Sequence, residues 1–175
     1  MDLGVAEAWI EQWEGYRNQS YDDETGEPIT PESVVQGHPT VGVGFNLDAA
    51  GAADAIYALG LDYFEVRCGL QILSDDQVDA LFGQSVNQAI ESARPLIPNF
   101  DDLPDDKQIV VVDMIFNLGA GGFGEFVHTI QAINDQDWAT AAQQMQDSEW
   151  YQQVGARAVA DVNLMAGVIT ATDVL

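Results

Sequence analysis

Seven glycines and prolines fall between residues 17 and 47: Gly26, Pro28, Pro31, Gly37, Pro39, Gly42 and Gly44. No helix survives that density. Proline removes a backbone donor, and glycine costs roughly 1 kcal/mol per interior helical position. Val41 and Val43 alternate with two of the glycines, which reads as hairpins and a small sheet. On either side the pattern is helical. Residues 3–16 space Val5, Ala6, Trp9, Ile10, Trp13 and Tyr16 along one face, with Asp2 placed to cap the start. After residue 48 only helical patterns follow. The order predicts an α+β fold with its strands segregated to one side.

The later elements have their own signals. Residues 49–68 are rich in alanine and other apolar residues and read as helix, with Gly60 as a break. Ser74-Asp75-Asp76-Gln77 is a capping box that opens a helix carried by Val78, Leu81, Phe82, Val86, Ala89, Ile90 and Ala93. Residues 105–118 are apolar nearly all round. Their length, the acids at Asp105-Asp106 and the stop at Gly119 favour a buried helix over a strand. Further helices are expected over 123–134, 137–147 and 156–167, the second capped by Asp135 or Gln136. The 175 residues fit one domain, with residues 1–16 packing back on a helical lobe (73–175) and 17–72 forming a β-containing lobe.

The chain carries 29 acids against 5 Lys+Arg, a net charge of −24, and Lys107 is its one lysine. Such a surface repels nucleic acid and anionic lipid, so neither is expected as a partner. No apolar run reaches membrane length, so no stable membrane insertion is expected, and the N-terminus lacks a basic secretion signal. One cysteine, Cys68, excludes an intrachain disulfide. His38, His128 and Cys68 form no metal-ligand spacing, and the acids at 22–27 do not follow a calcium-loop register, so no metal and no cofactor are expected.

Chemistry concentrates in Glu14-Gly15-Tyr16-Arg17, Tyr21-Asp22-Asp23-Glu24-Thr25-Gly26 and Thr40-Val41-Gly42-Val43-Gly44. Two carboxylates on different elements are what glycoside hydrolysis needs. One holds a proton for the leaving oxygen, and the other activates water or attacks. A general acid at Glu14 should sit partly desolvated. Asp22, Asp23 and Glu24 all compete as the second acid, and the spacing from Tyr21 favours Asp23. The Thr40 hydroxyl could orient water beside that carboxylate. Asn117 shares a helix face with Asp113, and a polar stripe on a buried helix must meet a partner or a cleft. Asn117 is therefore a candidate substrate contact, while Asp113 is expected to satisfy a helix terminus or an arginine.

Glu14, Gly15, Tyr21, Asp23 and Gly26, followed by Thr40, Gly42 and Gly44, resemble the signature of the phage-type lysozyme family, the muramidase endolysins of T-even phages and their relatives. Phe116-Asn117-Leu118-Gly119, Trp150-Tyr151 and Arg157-Ala158 extend the resemblance over essentially the full length. It implies a lysozyme-like α+β fold with a small β-containing lobe, a larger helical lobe and a cleft. It implies hydrolysis, with inversion, of the bond from N-acetylmuramic acid to N-acetylglucosamine in peptidoglycan. Glu14 would be the general acid, Asp23 and Thr40 would hold the attacking water, and Arg157 would pair with Glu14. Phe45, where relatives often carry histidine, is placed with Asn117 among the expected substrate contacts. A monomer acting on peptidoglycan is expected, made in a host cytoplasm before reaching the wall, or carried in a virion. The alternatives are a glycan-binding or virion structural module of the same fold, or an acidic module that binds basic proteins. Two features differ from familiar relatives: the 16 residues between Asp23 and Thr40, about a hairpin more, and the acidic charge.

Overall fold

Asp2 opens the first helix by accepting the Val5 amide on its side chain. The computed structural model describes residues 1–174. Helix α1 runs Leu3–Glu11, five residues shorter than the apolar spacing predicts. The Gln12 side chain donates to Trp9 O, and Trp13 N–H closes a tight turn on Ile10 O. Those bonds take up the Trp9 and Ile10 carbonyls, and Gly15 follows where a helix would have to continue. Trp13 and Glu14 therefore lie in a turn and bend rather than on a helix face.

The glycine- and proline-rich block forms one antiparallel sheet of three strands in the order β1 (Arg17–Asp22), β2 (Pro39–Gly42), β3 (Phe45–Asn46). Tyr21 lies opposite Thr40, and Thr40 lies opposite Asn46. Gly42 and Gly44, at φ 67° and 68°, make the turn between β2 and β3. A Cβ on Gly42 would also stand 3.2 Å from Val78, so the glycine lets the helix that carries Val78 approach the sheet. The extra residues between β1 and β2 are a folded loop rather than a longer hairpin. Tyr21 and Pro28 form an isolated bridge, Ile29 N–H donates to Ser20 O, and the Ile29 side chain is buried.

Helix α2 (Ala52–Ala58) and α3 (Tyr63–Arg67) are separated by Gly60 at φ 75°. Helix α4 (Asp75–Ala93) starts with the expected reciprocal box, Gln77 N–H to Ser74 Oγ and Ser74 N–H to Gln77 Oε1. The valine run is helical, in α5 (Asp105–Gly124), whose first leg ends at Gly119 with φ 71° and ψ 162°. Phe123 belongs to the second leg, so α6 is confined to Val127–Asn134 rather than starting at 123. Helix α7 (Trp138–Gln146) is capped by Asp137, not by Asp135 or Gln136. Asp137 accepts both the amide and the hydroxyl of Thr140, while Gln136 makes the turn at φ 57°. Helix α8 (Glu149–Val154), α9 (Ala156–Ala166) and α10 (Ala171–Val174) complete the chain. α8 and α10 are too short to leave a readable period.

Two compact units emerge. Glu14–Ser85 is one; Met1–Trp13 with the chain from Val86 onward is the other. In the larger unit Trp9 and Ile10 of α1, Ile109–Met114 of α5 and Leu164 and Met165 of α9 are buried. Each fully buried aliphatic side chain there contributes roughly 1.5–3 kcal/mol relative to exposure. In the smaller unit Val41, Val43, Leu47, Ile56, Val66, Val78 and Leu81 make the core under the sheet. Among the described residues no single helix is long and apolar enough to cross a membrane.

Candidate functional site

Glu14 is half-buried in the bend after α1. The chain beyond it is fixed to the start of α4. Tyr16 OH donates to Asp75 O and Asp79 Oδ1, and Asn18 Nδ2 donates to Leu73 O and Asp75 Oδ1. Tyr21 follows on β1. Burial raises its phenol above the ordinary range, and the Arg17 guanidinium, 4.2 Å above the ring, opposes that shift. The charges of Glu14 and Asp23 then push it up further. One phenol thus feels both carboxylates, and Thr40 lies across the strand from it.

Two of the three acids of the turn, Asp22 and Asp23, differ in their hydrogen bonds. Asp22 is buried, and both its oxygens are occupied. Oδ1 accepts the Glu24 and Gly37 amides at 3.0 Å each, and Oδ2 accepts the Gln36 amide at 2.6 Å. The Gln36 amide leads the bonds that hold its carboxyl below the usual carboxylate range, burial opposing them. The Asp22 carboxylate is thus taken up by the loop backbone. Asp23 is exposed, and one oxygen, Oδ1, accepts a single amide, that of His38 at 2.6 Å. Asp23 N–H returns a bond to His38 O at 3.1 Å, and Thr40 Oγ1 donates to the same carbonyl at 3.2 Å. Asp23 and Thr40 are therefore tied to one backbone group. The importance of Asp22, Gly37 and His38 is not readable from spacing, because a hydrogen-bonding loop leaves no period. The doubled acid Asp22-Asp23 is the one sign of it.

Phe45 is half-buried at the start of β3, opposite Val41. The remaining candidates lie in the larger unit. Asp113 is fully buried and takes an arginine, one of the two partners expected for it: Arg157 Nε and Nη2 donate to its two oxygens at 2.8 and 2.9 Å. Beside them Asp161, also fully buried, accepts Trp9 Nε1 at 3.0 Å on Oδ1 and meets the Asp113 carboxyl. Burial first, then the neighbouring Asp113 charge, raises its carboxyl well above the ordinary range. Nothing in its sequence context marks Asp161 as a buried acid. Asn117 is exposed and accepts Trp150 Nε1 at 2.9 Å, so it fixes an indole whose ring meets Phe126 edge-on. Among the described residues no group of three or more His, Cys, Asp or Glu is placed to hold a metal ion.

Comparison with known proteins agrees with this layout. The phage lysozyme family matches residues 11–163. Over 89 residues the chain is 27% identical to a protein of Dictyostelium discoideum described as probable T4-type lysozyme 1, covering 49% of this chain and 52% of that one. Over 88 residues it is 25% identical to probable T4-type lysozyme 2 of the same organism, with the same coverage. The chain spans about half the length of the curated relatives it matches. The family match is broader than either, running from the end of α1 into α9, and on that extent the chain belongs to the phage lysozyme family.

Proposed function

We propose that this chain is a peptidoglycan muramidase that hydrolyses the bond from N-acetylmuramic acid to N-acetylglucosamine with inversion. Glu14 gives its proton to the glycosidic oxygen as the bond to the anomeric carbon breaks. A water held by Asp23 Oδ2 and Thr40 Oγ1 attacks the opposite face of that carbon and passes its proton to Asp23. Phe45 contacts the glycan. The observation that carries the reading is the shared His38 carbonyl: it fixes the Asp23 backbone and the Thr40 hydroxyl together, leaving one carboxylate oxygen and one hydroxyl for a water. Family membership supports the same chemistry. The protein works as a monomer in host lysis, reaching the wall from the cytoplasm or from a virion.

Mass spectrometry of borohydride-reduced fragments from digested peptidoglycan tests this. Reduced muramic acid ends are expected. Reduced glucosamine ends would assign the cut to the other glycosidic bond, and intact strands would remove the enzymatic reading.

A further inference from the structure

The loop between β1 and β2 closes onto Asp23 from its far end. The Asp22 carboxylate reaches fourteen and fifteen residues ahead to take the Gln36 and Gly37 amides. Bonds from amides to an ionised carboxylate are about twice as strong as neutral ones, so this anchor sets where the end of the loop lies. Gly37 then passes directly over Asp23. A Cβ at Gly37 would stand 2.1 Å from Asp23 Oδ1 and 2.9 Å from both Glu24 N and Glu24 Cβ. No side chain fits there without displacing the carboxylate. The next amide, His38, is the one that binds Asp23 Oδ1.

We propose that Asp22 and Gly37 are positioning residues for Asp23, clipping the loop end so that the His38 amide claims Oδ1 and only Oδ2 faces the attacking water. The inference rests on the muramidase reading of Asp23. It gives the inserted loop a role in the reaction, beyond filling the gap between two strands. Misplacing a reacting group by about 1 Å costs on the order of 10²-fold in rate, so the effect belongs in kcat.

The test uses Asp22→Asn, Gly37→Ala and, as a control elsewhere in the loop, Val34→Ala at a fully solvated side chain. In Asp22→Asn an amide nitrogen replaces an acceptor oxygen, so either the Gln36 or the Gly37 contact turns donor against donor. Two readouts are taken on protein whose melting transition is intact. One is hydrogen exchange of the His38 amide by NMR; the other is kcat and KM on soluble peptidoglycan glycan fragments. Both clip variants should show faster His38 exchange and about 10²-fold lower kcat with KM unchanged; Val34→Ala should match wild type in both. If His38 stays protected in both clip variants, the clip does not hold Asp23 and the proposal falls. If exchange quickens while kcat holds, the clip exists but does not position the reaction. An inactive wild type would instead remove the muramidase reading and the catalytic half with it, while the exchange result still decides whether the clip exists.

Discussion

Asp23 and His38 grip each other twice: Asp23 N–H donates to His38 O at 3.1 Å, and His38 N–H donates to Asp23 Oδ1 at 2.6 Å. An exposed turn acid on this chain would otherwise be one solvated charge among many. Asp23→Asn keeps an acceptor for the His38 amide but cannot take a proton from water. Loss of such a group costs on the order of 10²–10⁴ in rate. The expected result is that loss in glycan cleavage with an unchanged melting temperature, measured by reducing-end release.

The Tyr21 phenol offers a check on proximity that needs no activity. Glu14 and Asp23 both raise its pKa, after burial. Glu14→Gln and Asp23→Asn should each move Tyr21 ionisation to lower pH, followed by NMR of the tyrosine ring carbons. An unmoved Tyr21 in both variants would mean that the two carboxylates do not share a neighbourhood.

The buried pair Asp113–Asp161 predicts a stability cost as pH rises. Asp161 has a folded pKa raised above its unfolded value near 3.8, so the folded state keeps a proton that the unfolded state loses. Its contribution is therefore fully present below that value and is lost as pH rises toward the folded pKa, at up to about 1.4 kcal/mol per pH unit. Asp161→Asn keeps an acceptor for Trp9 and cannot ionise, so its stability relative to wild type should grow through that range. Asp161→Ala leaves the Trp9 indole N–H buried without an acceptor, at a cost of about 1–3 kcal/mol. Urea unfolding at several pH values measures both.

All five cationic side chains are engaged locally: Arg17 on Gly26 O, Arg67 on Asp48, Arg94 on Asp101, Lys107 on Leu164 O and Arg157 on Asp113. The net −24 therefore stands as self-repulsion, and as repulsion from an anionic wall. Salt shortens the Debye length from about 10 Å at 0.1 M to about 3 Å at 1 M. Melting temperature and wall lysis should both rise from low to moderate sodium chloride at fixed pH. Maxima at the lowest salt would mean that the acids are locally paired or hold a cation.

What was legible in the sequence had a period or a fixed spacing. The α+β order, the capping box at Ser74 and the buried helix of Ile109–Val112 follow from apolar periodicity and end signals. The end of α1 was misjudged because Trp13 and Tyr16 continue the apolar spacing past the point where Gln12 closes the helix. The cap of α7 is Asp137 rather than Asp135 or Gln136, because two aspartates within three residues offer the same capping side chain and backbone geometry selects between them. At the site, spacing favoured Asp23 but could not show that the Asp22 carboxylate is taken up by backbone amides. That depends on amides fourteen and fifteen residues away. The raised Asp161 carboxyl was invisible for a similar reason, because burial among Trp9, Asp113 and Arg157 is a property of three helices together.

The central claim is that Glu14 is the proton donor in glycan hydrolysis. The most direct measurement is the rate of muramic acid reducing-end formation from purified peptidoglycan by wild type and Glu14→Gln, at equal concentration and with folding checked by circular dichroism. Wild type should release these ends, and Glu14→Gln should release them slower by on the order of 10²–10⁴. Equal rates from two folded proteins would contradict the account.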